Sequence, residues 1–145
     1  VPLREVVGDI WLFDCTVRVI PTNGFVKNNG RAVMGAGLAL QAAKRFPDLP
    51  VVLGRCIDSS GNHVHVIRHD IVAFPTKHNW WEKSDLKLIE QSAEELRALA
   101  ETQGWRLVAL PRVGTGNGQL RWAEVKPILN RVLAHGAVFV VVDNS

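Results

Sequence analysis

The sequence predicts one α/β domain over residues 1–145, with a mixed, largely parallel sheet and helices on both of its faces. Three observations predict it. Short runs rich in β-branched residues alternate with helical patterns along the chain. The last run, Val138-Phe139-Val140-Val141-Val142, is apolar throughout, as in a strand covered on both faces. Two glycine-rich segments each follow a strand and lead toward a helix, the placement of ligand loops at the carboxyl ends of strands in such a sheet.

In chain order, the first strand signal is Val17 to Ile20, and a helix is expected from about Gly37 to Arg45, stopped by Pro47. Gly54 to Pro75 reads as a hairpin whose turn-rich tip is Asp58-Ser59-Ser60-Gly61-Asn62 and whose arms include Val64 to Arg68 and Ile71 to Phe74. Antiparallel pairing is expected there. A long helix follows from Asp85 to about Gln103, with Leu86, Ile89, Ala93, Leu96 and Ala100 on one stripe, Ser84 as its cap and Gly104 as its end. After a strand at Leu107 to Leu110, a last helix buries Val125, Ile128, Leu129 and Val132 and ends at Gly136. Its start is expected near Glu124, because Pro127 is tolerated in a first turn.

Of the 145 residues, 47% are hydrophobic and 21% charged, an ordinary globular balance, with no run near the ~20 apolar residues of a membrane helix. No membrane partner is expected, and a cytoplasmic monomer is the working expectation. Cys15 and Cys56 lack metal-site or redox spacing and read as free thiols. The net charge of +3 suits an anionic partner but is scattered. His63, His65, His69 and His78 lack an accompanying Cys or carboxylate at ligand spacing, so no metal is expected. Adjacent Trp80 and Trp81 in a polar stretch cannot easily both be buried; at least one is expected at a surface or cleft.

The first glycine-rich loop runs from Pro21 through Thr22, Asn23 and Gly24 to Val33-Met34-Gly35-Ala36-Gly37, with Leu38 opening a helix. Free N–H groups and partial positive charge at a helix start, approached over glycines, make an anion cradle. The second loop is Pro111-Arg112-Val113-Gly114-Thr115-Gly116-Asn117-Gly118-Gln119. Two such loops at one sheet edge can close on a diphosphate from both sides. The third glycine of a dinucleotide-binding fingerprint is missing, and no GxxxxGK[ST] sequence occurs, which leaves an ATPase without support.

Val33-Met34-Gly35-Ala36-Gly37-Leu38-Ala39, followed by Lys44-Arg45-Phe46-Pro47, resembles the first ligand loop of the macrodomain family. The likeness is to the branch containing terminal ADP-ribose protein glycohydrolase and the antitoxin of DNA-ADP-ribosylating toxin pairs. Phe74-Pro75-Thr76-Lys77, with Trp80 and Lys83-Ser84, resembles that antitoxin's catalytic segment. The resemblance runs from Gly8-Asp9-Ile10 to the terminal strand and implies a three-layer macrodomain-like sheet that binds ADP-ribose without a cofactor. It implies that Asp9 accepts a hydrogen bond from the adenine amine with Ile10 beside the ring, and that Asn23 reaches the distal ribose. Thr22, Gly24 and residues 33–38 of the first loop would bind the ligand, as would Pro111 and Val113 to Gly118 of the second and Asn144 after the last strand.

Lys77 takes the catalytic role in this resemblance, as an amine that attacks an anomeric carbon when neutral. Two departures stand out. Gly118 occupies the place where the protein-directed glycohydrolases carry an acid, and Asp143-Asn144 stands where many members set an aromatic against adenine. The implied activity is removal of mono-ADP-ribose from an ADP-ribosylated protein acid or a base of single-stranded DNA, for which the Trp pair offers stacking. A non-catalytic ADP-ribose reader and a hydrolase of small ADP-ribose esters are the alternatives.

Overall fold

The computed structural model describes residues 3–144. Six strands form one sheet: β1 (Arg4–Val7), β2 (Val17–Asn23), β3 (His65–Arg68), β4 (Ile71–Lys77), β5 (Leu107–Leu110) and β6 (Val138–Asp143). Their spatial order is β1-β6-β5-β2-β4-β3, parallel throughout except for the antiparallel β3–β4 pair at one edge. Four helices cover it: α1 (Gly37–Arg45), α2 (Leu49–Ser60), α3 (Leu86–Gln103) and α4 (Trp122–Leu133). None of the helices among the described residues is long and apolar enough to cross a membrane.

The α/β expectation holds, and alternation of side chains on β2 and β4 builds both faces of the core. Val17, Val19, Val72 and Phe74 pack against Ile89, Ala93 and Leu96 of α3 and Val125 and Leu129 of α4. On the other face Ile20, Ile71 and Ala73 meet Ala39 and Ala42 of α1 and Leu49 and Leu53 of α2. The segment after β1 extends that second face by placing Ile10 over Ala109, Val140 and Val142.

Several boundaries differ from the sequence reading. The first half of the expected hairpin, from Gly54, is helical, and its supposed tip is the end of α2. Pro50 sits in that helix's first turn, Leu49 and Leu53 share its buried face, and Gly61 closes it at φ 88°. The actual hairpin is shorter, β3 and β4 turning at His69-Asp70. Ser84 does not cap α3: Asp85 does, its side chain accepting from the Lys87 N–H, while Ser84 is buried. The last helix begins at Trp122 rather than Glu124, because the Glu124 carboxylate reaches back to the Arg121 N–H at 2.9 Å and fixes an earlier turn. Pro127 therefore lies inside it, and the helix stops at Leu133, short of Gly136. Strand β1 was not foreseen: four residues, largely exposed, give no periodic signal. Cys15 and Cys56 are free, and both are partly buried. Burial is the main influence on the Cys15 thiol and pushes its pKa up.

One irregularity in the sheet matters for the site. Along β2 and β4 the register runs Thr22↔Pro75 and then Asn23↔Lys77, so Thr76 is bulged out of the pairing. Pro75 has no N–H to continue the ladder. The extra residue sets Asn23 beside Lys77 at the strand ends.

Candidate functional site

Chain connections step outward from β2 to one side through α1 and α2, then return across the sheet through α3 to β5 on the other side. The neighbours β2 and β5 are therefore the topological switch point, where a crevice opens beyond the strand ends. Their pairing is confined to Val17↔Val108 and Arg18↔Ala109, after which the strands part. A cavity of about 1050 Å³ lies there, at the upper end of the size range for small-molecule sites.

Strand order lays out the cavity wall. Asp9, Ile10, Asp143 and Asn144 stand at the β1–β6 end, Arg112 follows β5, and Asn23 and Lys77 end β2 and β4. Three strand spacings separate β6 from β4, roughly 14 Å at about 4.8 Å each. Asp9 and Asp143, the carboxylates lining the cavity among the described residues, are thus remote from Lys77.

Both glycine-rich loops line this cavity, the first with Val33 to Leu38 and the second with Pro111, Arg112 and Gly114 to Gly118. The first loop rests on α2, where the Ala32 N–H donates to the Pro50 carbonyl at 2.8 Å. A Cβ on Gly54 would collide with the Gly30 carbonyl oxygen, so this contact requires glycine. Asn23 holds the loop's inner turn: its Nδ2 donates to the Val33 carbonyl at 3.1 Å, and its Oδ1 accepts from the Phe25 N–H at 3.0 Å. The second loop turns at Gly114, whose φ of 80° favours glycine and whose Cβ would lie 2.6 Å from Ile89 Cδ1. The loops meet where a Cβ on Gly37 would lie 3.4 Å from Asn117 Nδ2.

Gly118 is fixed by what lies under it. Ser84 donates its N–H to the Gly118 carbonyl at 2.9 Å, and a Cβ on Gly118 would run into Ser84 Oγ. A side chain at Gly118 has to displace the buried Ser84 beneath it, which gives a packing reason for glycine at this point of the loop.

Lys77 bridges the second loop and its own segment. Its Nζ donates to the Asn117 carbonyl at 3.1 Å and the Trp80 carbonyl at 3.4 Å. Neighbouring anchors hold the segment: the Gly24 N–H donates to the His78 carbonyl at 3.1 Å, and Asn62 Nδ2 to the Lys77 carbonyl at 3.0 Å. The His78 imidazole lies 3.0 Å from Asp85, and this hydrogen bond is the main reason the Asp85 carboxyl sits below its ordinary pKa.

At the opposite end, Asp9 Oδ1 accepts from the Trp11 N–H at 2.9 Å and Asp9 remains exposed. The loop carrying Asp9 and Ile10 is gripped by Arg18, whose guanidinium donates to the carbonyls of Ile10 at 2.7 Å, Trp11 at 3.2 Å and Phe13 at 2.7 Å. Arg112 lies 3.4 Å from the Asp143 carboxylate and 5.4 Å from the Trp122 ring centroid. Beside it Glu5 accepts from Lys126 at 2.5 Å and Trp122 Nε1 at 3.0 Å, and the Lys126 bond leads the pull that keeps the Glu5 carboxyl below its ordinary range.

Of the residues singled out in the sequence, Asp9, Ile10, Thr22, Asn23, Lys77, Asn144, residues 33–38, Pro111 and Gly114 to Gly118 line one cavity. Two do not. Gly24 packs under the Asn62 side chain, and Val113 is fully buried in the core with Ile89 and Leu120. Sequence reasoning passed over Phe25, Lys27, Arg31, Gln41 and Arg112, which also line it. Lys27, Arg31 and Arg112 lay inside the quoted loops; Gln41 is one turn into α1, on the face shared with Gly37 and Leu38. The histidines are engaged separately, His63 with Glu95 at 2.8 Å and His65 with the Gly61 carbonyl at 2.9 Å.

A sequence model of the Macro domain matches residues 34–129. The chain belongs to the macrodomain family. A DNA ADP-ribosyl glycohydrolase of Thermus aquaticus is 33% identical over 116 residues, 72% of this chain and 32% of that protein. The macrodomain therefore spans about a third of the length of that curated relative. Among solved structures, the macrodomain of Mycobacterium tuberculosis DarG aligns with a TM-score of 0.84 at 25% identity, covering 99% of this chain and 97% of that one. That of Thermus aquaticus DarG gives 0.80 at 29% identity, covering 99% and 98%.

Proposed function

We propose that this macrodomain is an ADP-ribosyl hydrolase that releases mono-ADP-ribose from a macromolecule. Adenine sits at the Asp9 end, the diphosphate lies between the glycine-rich loops, and the distal ribose reaches Asn23 and Lys77. The observation that carries this reading is the β2–β4 bulge, which pairs Asn23 with Lys77 at the end of the cavity. Asp9 is exposed at the opposite end to read an exocyclic amine, and the Thr22 hydroxyl, buried in the wall without a hydrogen-bond partner among the described residues, offers a further sugar contact.

In the reaction, the Lys77 lone pair forms an N–C bond to the anomeric carbon as the bond from that carbon to the macromolecule breaks. The departing atom takes the bonding electrons and then a proton from the newly cationic nitrogen. The resulting glycosylamine opens to an imine as the ring oxygen takes the C–O bonding pair and a proton, and water adds to that imine, releasing ADP-ribose and restoring the amine. This route needs no carboxylate beside Lys77, consistent with Asp9 and Asp143 standing at the far end. Asn23 positions the ribose for attack. Similarity to the Thermus aquaticus DNA ADP-ribosyl glycohydrolase favours a DNA base over a protein acid as the carrier.

A side-by-side release assay tests the reading on an ADP-ribosylated oligonucleotide and a protein ADP-ribosylated on glutamate. Release of ADP-ribose from the oligonucleotide supports it. Tight ADP-ribose binding with release from neither would make the domain a reader, and turnover of small ADP-ribose esters alone would make it a metabolite hydrolase.

A further inference from the structure

Next to Lys77 the cavity is bordered by a group of rings to which the proposed placement of ADP-ribose gives no role. Trp80 and Trp81 are 52% and 57% exposed, although each offers a large apolar surface. Trp81 packs edge-on against Phe25 of the first loop at 5.5 Å between centroids and against Trp80 at 5.4 Å. Phe25 and Trp80 line the cavity, and Trp81 carries the surface outward from them.

The rings are held in this exposed position. Glu82 closes the turn around them, its Oε1 accepting from the Asn79 N–H at 2.8 Å and its own N–H donating to the Asn79 carbonyl at 3.2 Å. The Trp80 carbonyl accepts from Lys77 Nζ. The ring group is thereby tied to Lys77, the amine to which the proposed reaction assigns attack. Lys27 and Arg31 stand on the same cavity wall as Phe25, and exposed Lys83 follows Trp81 by two residues. Aromatic faces interleaved with basic side chains recognise single-stranded nucleic acid, whereas an acidic side chain gains nothing from such a shelf.

We propose that Phe25, Trp80 and Trp81 form a leaving-group subsite that stacks the nucleobase carrying the ADP-ribose, with Lys27, Arg31 and Lys83 meeting the phosphates of its strand. The proposal rests on the ADP-ribosyl hydrolase reading and adds how the carrier is chosen. Positioned this way, the shelf selects a planar aromatic carrier.

The test compares Trp80→Ala, Trp81→Ala and Trp81→Phe with the wild type. Three quantities are measured: kcat/KM on an ADP-ribosylated single-stranded oligonucleotide, kcat/KM on an ADP-ribosylated glutamate peptide, and Kd for free ADP-ribose. Each alanine variant is expected to lose about ten- to a hundredfold on the oligonucleotide, chiefly through KM. Trp81→Phe is expected to keep most of the activity, with the peptide rate and the ADP-ribose Kd unchanged within about twofold. Equal losses on both substrates, or no loss on the oligonucleotide, would overturn the subsite. Absence of ADP-ribose binding by the wild type would instead overturn the reading of the cavity, and the subsite with it.

Discussion

Replacing Gly118 by alanine tests the packing reason for glycine at this point of the second loop. The added Cβ would press on Ser84 Oγ and lie 3.3 Å from Ser84 Cβ, closer than ordinary van der Waals contact. Ser84 is buried, and its N–H is tied to the Gly118 carbonyl, so neither backbone can easily retreat. The hydroxyl is itself buried, so turning it away from the new Cβ drives it into other packed atoms. Overpacking of this kind costs about 1–3 kcal/mol. Ser84→Ala alone removes a hydroxyl that has no hydrogen-bond partner among the described residues, and is expected to cost little. In that background Gly118→Ala should lose about 1–2 kcal/mol less, a coupling typical of side chains in direct contact. Urea unfolding of the four proteins, with midpoints converted to free energies, measures the cycle. An unchanged midpoint for Gly118→Ala, or an equal loss in both backgrounds, would refute the packing explanation.

The Asp9 end, where the proposed function sets adenine, yields two more predictions. Asp9→Ala should weaken ADP-ribose binding about ten- to a hundredfold, the worth of a hydrogen bond to a charged acceptor, and remove discrimination against an inosine analogue; calorimetry with both ligands measures it. Arg18→Ala frees three carbonyls of the 8–16 loop, and should cost about 2–4 kcal/mol in urea unfolding while weakening ADP-ribose more than Lys77→Ala does. A third prediction concerns acid. Glu5 and Asp85 are both held below their ordinary values of 4.5 and 3.8, chiefly by hydrogen bonds to Lys126 and His78. A lowered carboxyl stabilises the fold above its unfolded pKa and ceases to do so as pH falls through its folded one. Melting temperature should therefore fall as pH drops below about 4.5, and less steeply in Glu5→Gln.

Periodicity made most of the core legible. Val138 to Val142 is apolar at every position, and the α3 stripe through Ile89, Ala93 and Leu96 is buried where its spacing places it. The α2 helix was hidden because Gly54 and the Asp58-Ser59-Ser60-Gly61 cluster look like turn chemistry. Gly54 is there for close approach to the first loop, and Gly61 is a helix end. Ser84 and Asp85 are both good caps, and only the burial of Ser84 beneath Gly118 decides between them. Glycine pattern located the loops, yet side-chain direction within them was not readable. Val113 turns into the core while its neighbour Arg112 turns toward Asp143. Least legible was the pairing of Asn23 with Lys77, which are 54 residues apart in sequence and meet through a bulge that only strand register creates.

The most direct test of the central claim is reductive trapping. The wild-type protein is mixed with ADP-ribosylated oligonucleotide and borohydride, and peptides are then mapped by mass. A ribose adduct on Lys77, absent from Lys77→Ala together with all release of ADP-ribose, is the predicted result. Full turnover by Lys77→Ala, or an adduct on another residue, would contradict it.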